Sequence, residues 1–164
     1  MDLSGHWDAG LLNCLCLAVL CAGSGAAARI AVVTNDYESA LQQAKLHNKP
    51  VFIDFTGYTC TNCRWMEANM FTKPPVREEL AKYVRLRLYT DGAGAVYEQQ
   101  QQMQQEKFGT VALPLYAVVN ADGNAVTTLP GLTRDEAQFV SFLKKGQAKL
   151  VLLTDIRSVK SPTD

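Results

Sequence analysis

Two cysteines, Cys60 and Cys63, are separated by two residues in the sequence TGYTCTNC, residues 56–63. The apolar stretch before them predicts a buried strand that passes into a helix at Cys60. At a helix start the first amides are unpaired and the helix dipole favours negative charge, which lowers the pKa of a thiol. Cys63 follows one helical turn later and can attack a mixed disulfide formed at Cys60. This spacing predicts Cys60 as the nucleophile and Cys63 as the resolving thiol of a redox couple.

The same two cysteines have two other interpretations, a metal site and a pair of small core residues. A structural zinc site takes four ligands, commonly from two such pairs. Beyond residue 29 the sequence has no second pair, and its one histidine there, His47, is predicted at a helix end. A soft-metal (copper or zinc) site would need Cys14, Cys16 and Cys21, so the first segment would have to fold onto the rest. The redox interpretation is therefore favoured.

Asp54 and Pro114 are the next candidates for chemistry. Asp54 precedes Cys60 by six residues inside the apolar stretch VFIDFT, where desolvation should raise the pKa of its carboxyl. Beneath the thiols it would serve as a general base for Cys63, and an aspartate exposed at a strand edge is the alternative. Pro114 directly precedes an apolar strand, where a cis bond would shape a tight bend. A trans proline that merely begins the strand is the alternative.

Hydrophobic periodicity predicts the elements that must position these residues, in the order β-α-β-α-β-α-β-β-α. The predicted strands cover residues 30–34, 50–56 and 84–90, with a hairpin over 114–129 that turns at Asp122-Gly123. The predicted helices cover residues 35–49, 60–71, 75–83, 96–109 and 133–146. The glutamines of the fourth are expected to face solvent, and Gly146 is expected to end the fifth. This order predicts an α/β fold with a mixed β-sheet and helices on both faces.

Composition limits the class of protein. The chain has 164 residues, 48% of them hydrophobic, which suits one globular domain with a sizeable core. Lys+Arg and Asp+Glu number 16 each, so the sequence has no basic surplus of the kind that binds nucleic acid. Five cysteines without regular spacing argue against a disulfide-stapled scaffold. We expect one domain over residues 30–150 and a C-terminal tail over residues 151–164.

Residues 1–29 form an apolar leader unlike the rest of the chain. Residues 11–28 are nearly uncharged and end in three alanines that suit a signal cleavage site, but no Lys or Arg precedes them. The strictly apolar part is shorter than the roughly 20 residues that span a membrane. Export or membrane attachment through this leader is favoured, and a remnant of a larger membrane protein or a leader without a role are the alternatives.

The stretch KPVFIDFTGYTCTNCRWME, residues 49–67, resembles the thioredoxin superfamily, and more closely the C-terminal thioredoxin-like domain of DsbD-type thiol:disulfide interchange proteins. The likeness continues through YVRLRLYTDG, EKFGTVALPLYAVVNADGN and FVSFLKKG and covers residues 37–146. It implies a thioredoxin-like fold and an active site formed by Cys60, Cys63, Asp54 and a cis Pro114. Glu67 matches the acidic position of that group and would tune the thiols; an exposed helical glutamate is the alternative. In that group a multi-helix membrane domain precedes this one, whereas this sequence has one short apolar stretch there, as expected for a part of a longer protein or for a stand-alone periplasmic relative. The sequence CTNC also lacks the Gly-Pro of ordinary thioredoxins.

The resemblance also implies an activity. It predicts a thiol–disulfide oxidoreductase that reduces disulfides in extracytoplasmic partner proteins, such as periplasmic isomerases or proteins of cytochrome c biogenesis, and is re-reduced by an upstream dithiol electron donor. No cofactor beyond the dithiol is expected. The expected location is the periplasm, free or membrane-anchored, with the cytoplasm as the alternative. The competing classes are a soft-metal binding module and a non-catalytic thioredoxin-fold adaptor.

Overall fold

The computed structural model describes residues 31–159 of the chain and the side chains of residues 31–149. One mixed five-stranded sheet has the strand order β1-β3-β2-β4-β5. The strands are β1 Val33–Thr34, β2 Val51–Thr56, β3 Val84–Tyr89, β4 Leu115–Val119 and β5 Ala125–Pro130. The helices are α1 Tyr37–His47, α2 Thr61–Trp65, a π-helical turn Met66–Met70, α3 Pro74–Leu80, α4 Ala95–Phe108 and α5 Glu136–Val159. The predicted order of elements and the mixed sheet are confirmed.

Strand β2 lies at the centre of the sheet and leads directly to the cysteines. It runs parallel to β3 and antiparallel to β4, and all six of its residues are buried. In this register Asp54 pairs with Arg87 of β3 on one side and with Tyr116 of β4 on the other. Neighbouring side chains on adjacent strands share a face of a sheet, so Asp54 has a cation and a phenol beside it.

Two apolar cores cover the two faces of the sheet. Phe52 and Tyr116 belong to the core beneath the π-helical turn, α3 and α5. Ile53 and Phe55 belong to the other core, beneath α1 and α4. This division follows from the strand geometry, because successive side chains of β2 point to opposite faces. Asp54 and Thr56 therefore lie on the face of Phe52.

The helix that begins after Cys60 changes its winding halfway. It is α-helical over Thr61–Trp65 and π-helical over Met66–Met70, where the Phe71 amide donates to the Met66 carbonyl at 2.9 Å. The sequence predicts helix through Phe71, and that is confirmed, but its pattern did not distinguish the wider π turn. Such turns occur as single insertions in α-helices and are frequent at functional sites.

The prediction that Gly146 ends the last helix is wrong. Helix α5 continues to Val159, so residues 151–159, assigned by sequence to a tail, are helical. Gly146 is buried, and a Cβ on it would lie 2.8 Å from the Tyr83 hydroxyl and 3.0 Å from Val118 Cγ2. The absence of a side chain at Gly146 serves the packing of α5 on the sheet. The domain boundaries at residues 30 and 150 stay predictions.

Two glutamines of α4 differ from the expectation of a solvated face. Gln100 and Gln104 are buried, whereas the other glutamines of this helix are exposed. Gln104 Nε2 donates to the Ala112 carbonyl at 2.9 Å, which satisfies a polar group in the loop that leads to β4. Gln100 Nε2 donates to the Asn35 carbonyl at 3.4 Å, so both buried glutamines have a backbone partner outside their helix.

The leader of residues 1–29 lies outside the described residues, and so do the predictions for it. Among the helices that the structure describes, none combines the length and the apolar character needed to cross a lipid bilayer.

Candidate active site

Cys60 and Cys63 form a disulfide, with an S–S distance of 2.10 Å and Cα atoms 5.3 Å apart. Cys60 is the N-cap residue of α2, and its Sγ accepts a hydrogen bond from the Cys63 amide at 3.2 Å. Cys60 is partly exposed, whereas only 1% of Cys63 is accessible to solvent. The predicted arrangement is thereby observed, with the first sulfur at the helix start near the surface and the second beneath it.

Asp54 is buried on the face of β2 that the helix after Cys60 covers, with 4% of its surface exposed. Neither carboxylate oxygen has a hydrogen-bond partner, and the nearest cation is Arg87, whose Nε lies 3.5 Å from Asp54 Oδ2. Burial raises the pKa of Asp54 to about 7, although the positive charge of Arg87 opposes the rise. The expectation of a desolvated carboxyl is confirmed, and the alternative of a strand-edge Asp in water is wrong.

A small cavity adjoins this carboxyl. It is lined by Val32, Phe52, Asp54, Arg85, Leu86 and Arg87. Four polar atoms of its lining residues lack hydrogen-bond partners, namely both oxygens of Asp54 and the Nε atoms of Arg85 and Arg87. A polar cavity of this kind can hold a water molecule, which would find several hydrogen-bond partners in the lining.

Glu67 is the centre of an ion-pair network next to Asp54. It is 18% exposed, and its Oε1 lies 2.8 Å from Arg64 Nη2 and 3.6 Å from Arg87 Nη2. Thr56 Oγ1 donates to the same oxygen at 3.5 Å and accepts from Arg64 Nη2 at 2.7 Å. The alternative of a glutamate exposed on the helix is wrong; its tuning of the thiols stays a prediction.

Arg64 and Arg87 were not among the residues singled out from the sequence. A signal for Arg87 exists in the stretch VRLRLY, where two arginines alternate with apolar residues in a strand otherwise typical of a protein interior. Charged residues at such inward positions are rare unless they are paired. The acid that pairs with Arg87, however, lies on another strand and is not identified by local pattern.

The Leu113–Pro114 peptide bond is cis, as the resemblance implies, and the trans alternative is wrong. Pro114 is buried, and the loop before it is held by the hydrogen bond from Gln104 to the Ala112 carbonyl. A Cβ at Gly57 would lie 3.1 Å from Leu113 Cδ1, so this loop contacts the segment that leads to Cys60. The fold therefore brings together two segments that are more than 50 positions apart in the chain.

Asp91 fixes the segment between β2 and Cys60, and sequence reasoning missed it. Its carboxylate accepts from the Tyr58 amide at 2.7 Å, and from the Thr59 amide and hydroxyl at 3.0 Å each. Desolvation opposes ionisation, but these hydrogen bonds outweigh it and lower the pKa of Asp91. A Cβ at Gly57 would lie 2.6 Å from Asp91 Oδ2, so a residue without a side chain is required for this close approach.

Three tyrosines form a cluster around Tyr58, whose amide donates to Asp91. The Tyr58 ring stacks on the Tyr89 ring with centroids 4.1 Å apart, and the hydroxyls of Tyr58 and Tyr97 are 3.1 Å apart. Tyr58 is 53% exposed. The cluster holds an aromatic side chain at the surface two residues before Cys60.

A metal site finds no support in the described part of the chain. No group of three or more His, Cys, Asp or Glu side chains there is arranged to hold an ion. The disulfide also removes both sulfurs of Cys60 and Cys63 as thiolate ligands in this state. Cys14, Cys16 and Cys21 lie outside the described residues, so the alternative that uses them stays untested.

Comparison with solved structures places the fold among thioredoxins. A thioredoxin from Thermus thermophilus is 21% identical, with 72% of this chain and 88% of that chain covered and a TM-score of 0.59. The reduced DsbD C-terminal domain of Neisseria meningitidis is 21% identical, with 70% and 99% covered and a TM-score of 0.57. A putative disulphide-isomerase of Bacteroides thetaiotaomicron is 23% identical, with 72% and 93% covered and a TM-score of 0.57. At these identities the likeness establishes the fold.

Sequence comparison establishes the family. Among curated proteins no sequence matches the chain. The model of the thioredoxin-like domain family matches residues 37–147, more than half of the chain. These residues include β2, the cysteine pair and the cis proline. The chain belongs to the thioredoxin-like domain family.

Proposed function

We propose that this protein is a thiol–disulfide oxidoreductase that reduces disulfides of partner proteins outside the cytoplasm through Cys60 and Cys63. The observation that carries the proposal is the disulfide at the start of α2, with Cys60 reachable and Cys63 buried beneath it. A thioredoxin-like fold with such a pair supports this class of enzyme. The cis Leu113–Pro114 bond, in a loop that contacts the Gly57 position three residues before Cys60, supports the same assignment.

The reaction transfers two electrons from the dithiol to the partner. The Cys60 thiolate attacks one sulfur of the partner disulfide, and the other partner sulfur leaves as a thiolate that takes up a proton. Cys63 then loses its proton and attacks Cys60 Sγ, which releases the second partner sulfur as a thiol and forms the Cys60–Cys63 disulfide. An upstream dithiol carrier reduces this disulfide by the reverse exchange.

Asp54 is proposed as the base that accepts the Cys63 proton. A carboxyl with a pKa of about 7 is near half protonation at neutral pH, so it can both accept and return a proton. Its burial on the face of β2 beneath the helix supports this role. The lining of the adjoining cavity places other unpaired polar atoms beside this carboxyl, to which a water molecule can hydrogen-bond.

The proposed setting is extracytoplasmic. The apolar leader of residues 11–28 supports export or membrane attachment. Fold likeness to a DsbD C-terminal domain supports partners that carry disulfides, among which we include isomerases and proteins of cytochrome c biogenesis. The dithiol itself serves as the redox group, and no other cofactor is proposed.

Insulin reduction with dithiothreitol as the electron source tests the activity. The wild-type chain should accelerate insulin precipitation, and Cys60→Ser should abolish the acceleration because no nucleophile remains. Cys63→Ser should instead accumulate a mixed disulfide at Cys60, visible by mass spectrometry without reductant. A wild-type chain that leaves the rate unchanged would disprove the enzyme and favour the adaptor.

Metal analysis tests the other class. The full chain, purified under reducing conditions, should contain less than a stoichiometric amount of copper or zinc. Stoichiometric metal that is lost in Cys60→Ser would show that the pair serves as ligands. This result would replace the redox assignment with a binding module.

A further inference from the structure

Four charged side chains form a line of alternating sign from the surface to the buried acid. Arg64 pairs with Glu67 at 2.8 Å, Glu67 with Arg87 at 3.6 Å, and Arg87 with Asp54 at 3.5 Å. They come from α2, the π-helical turn, β3 and β2 respectively. The two ends of the line differ most in exposure: 41% of the Arg64 side chain is exposed and 5% of the Asp54 side chain, with Glu67 and Arg87 partly buried between them.

The two carboxylates compete for Arg87. Arg87 approaches Glu67 through Nη2 and Asp54 through Nε, and Nε makes no hydrogen bond of normal geometry. Coulomb attraction between unit charges falls with distance and rises as water is excluded. A small shift of the Arg87 side chain therefore strengthens its attraction to one acid and weakens its attraction to the other. A cation that neutralises Glu67 weakens the attraction between Glu67 and Arg87, so that Arg87 can interact more strongly with Asp54.

Arg64 is placed to satisfy Glu67. Besides its ion pair it donates to Thr56 Oγ1 at 2.7 Å and to the Gly57 carbonyl at 3.4 Å, and its guanidinium lies 5.8 Å from the Tyr89 ring centroid. These anchors belong to the end of β2, the segment before Cys60 and the end of β3. They hold Arg64 on Glu67 independently of Arg87.

We propose that Arg64 and Arg87 are positioning residues for the buried acid: Arg87 stabilises the charged form of Asp54, and Arg64 keeps Arg87 available by neutralising Glu67. The functional meaning of this inference rests on the role of Asp54 proposed above. The direct charge effect of Arg64 on the pKa of Asp54 is the smallest of those that act on this carboxyl. We therefore expect most of the influence of Arg64 to pass through Glu67 and Arg87.

The other groups that face Asp54 keep one charge state at neutral pH. Arg85 of β3 lines the same cavity and stays positive, since an arginine remains charged across the working range. Tyr116 of β4 pairs with Asp54 in the sheet and stays neutral, because burial raises the pKa of its phenol. A change in the pKa of Asp54 on substitution of Arg64, Glu67 or Arg87 is therefore not caused by a change in the charge of Arg85 or Tyr116.

The pKa of Asp54 in the oxidised full chain, followed by carboxyl ¹³C chemical shifts, tests the proposal without any catalytic step. Arg64→Gln should raise this pKa by about 1, Glu67→Gln should lower it, and Arg87→Gln should raise it by about 1–3. Arg87→Lys keeps the positive charge, so the pKa of Asp54 in this variant should be close to the wild-type value. A rise in Arg87→Gln but not in Arg87→Lys would show that the lost charge, and not a disturbed fold, causes the rise. Arg77→Gln, which removes an exposed arginine of α3, is the matched control and should leave the pKa unchanged.

The double variant decides whether Arg64 acts through Glu67. If it does, adding Arg64→Gln to Glu67→Gln should produce less than a third of the rise that it produces in the wild type. An equal rise in both backgrounds, or no rise in either, would overturn the proposal. The oxidised protein keeps this result separate from the insulin assay, so an inactive enzyme with the expected shifts would disprove the proposed function alone.

In the reduced enzyme, the pH dependence of mixed-disulfide resolution by Cys63 is the kinetic readout. Its midpoint should rise in Arg64→Gln and fall in Glu67→Gln. A merely structural role of the two residues would lower the rate in both variants without moving the midpoint in opposite directions.

Discussion

At the scale of single residues, Asp54 is a carboxyl that is buried almost completely, and burial raises its pKa to about 7. Its carboxylate lacks hydrogen bonds and has one cation at 3.5 Å, so the charged form is stabilised less than in water. A protonated acid, by contrast, loses little on burial. The proton that Asp54 holds in the folded protein should therefore be visible in the stability of the whole chain.

We predict that the wild-type protein loses stability as the pH rises through about 7, because Asp54 then becomes charged, and that Asp54→Asn does not show this loss. The folded-state pKa of about 7 lies above the ordinary value of 3.8, so folding binds a proton between these values. The contribution of Asp54 is complete below pH about 4 and is lost as the pH rises through 7; the full loss is roughly 4 kcal/mol. Because Asn resembles the protonated acid, the variant should be more stable than the wild type at pH 8.5 and similar at pH 4.

Urea unfolding of the oxidised proteins at a series of pH values measures this difference. The comparison uses variant minus wild type, so that titration of other carboxyls cancels. A difference that stays constant from pH 4 to pH 8.5 would contradict a raised pKa for Asp54.

At the scale of elements, the segment between β2 and α2 is held by contacts from elsewhere in the chain. Asp91, just after β3, binds it through three hydrogen bonds, and Arg64 donates to the Gly57 carbonyl. The cis-proline loop also contacts the Gly57 position, through Leu113. The position of Cys60 therefore depends on the loop after β3 and the loop before β4 as well as on its own helix.

We predict that Asp91→Ala lowers the reductase rate more than it lowers stability. The variant frees the amides of Tyr58 and Thr59, which lie next to Cys60, and a misplacement near 1 Å at a reacting group costs up to about 100-fold in rate. The free energy of unfolding should fall by less than about 2 kcal/mol, because the site is exposed and water can replace the carboxylate. Insulin reduction and urea unfolding measure the two quantities.

Asp36→Ala is the matched control for Asp91→Ala. Asp36 also accepts a backbone hydrogen bond, from the Ser39 amide at 2.9 Å, but it caps α1 rather than the segment before Cys60. Its loss should cost about 1 kcal/mol of stability and leave the rate near that of the wild type. Equal rates in Asp91→Ala and the wild type would contradict the role given to Asp91.

At the scale of the whole molecule, α5 closes one of the two cores against the sheet. Phe139 and Leu143 of this helix are buried with Phe52 and Tyr116. The Tyr83 hydroxyl donates to the Leu143 carbonyl within this contact. Gly146 lies one turn further along α5, where the helix approaches Tyr83 and β4 too closely for a side chain.

We predict that Gly146→Ala destabilises the protein although alanine favours helix. In an exposed helix the change would gain about 1 kcal/mol. Here the new Cβ would lie 2.8 Å from the Tyr83 hydroxyl and 3.0 Å from Val118, so α5 must shift and the net loss should be about 1–3 kcal/mol. Thermal and urea unfolding measure it.

Two further variants separate packing from helix propensity. Ser141→Ala, at an exposed position of α5, should not destabilise the protein. Tyr83→Phe removes the oxygen that a Cβ at residue 146 would meet, so Gly146→Ala should cost less in that background. An equal cost in both backgrounds would show that the tyrosine hydroxyl is not the obstacle.

The sequence by itself determined the elements and the redox pair. The β-strand and helix periods, the C-x-x-C spacing and the apolar surroundings of Asp54 are local properties, and residues 49–67 with the later matching stretches identified the fold and the cis Pro114 by resemblance. Local patterns sufficed because a strand followed by a helix start fixes the positions of Cys60 and Cys63 within a few residues of chain.

Only the tertiary structure decided how the site is held and tuned. Successive ion pairs link Arg64, Glu67, Arg87 and Asp54 across four elements. Asp91 reaches the segment before Cys60 from more than 30 positions away. Helix α5 likewise continues through Gly146, where the close approach of Tyr83 leaves no room for a side chain, and the local sequence does not contain this contact. Charge pairing and close packing depend on distances between segments, and those distances exist only once the sheet has formed.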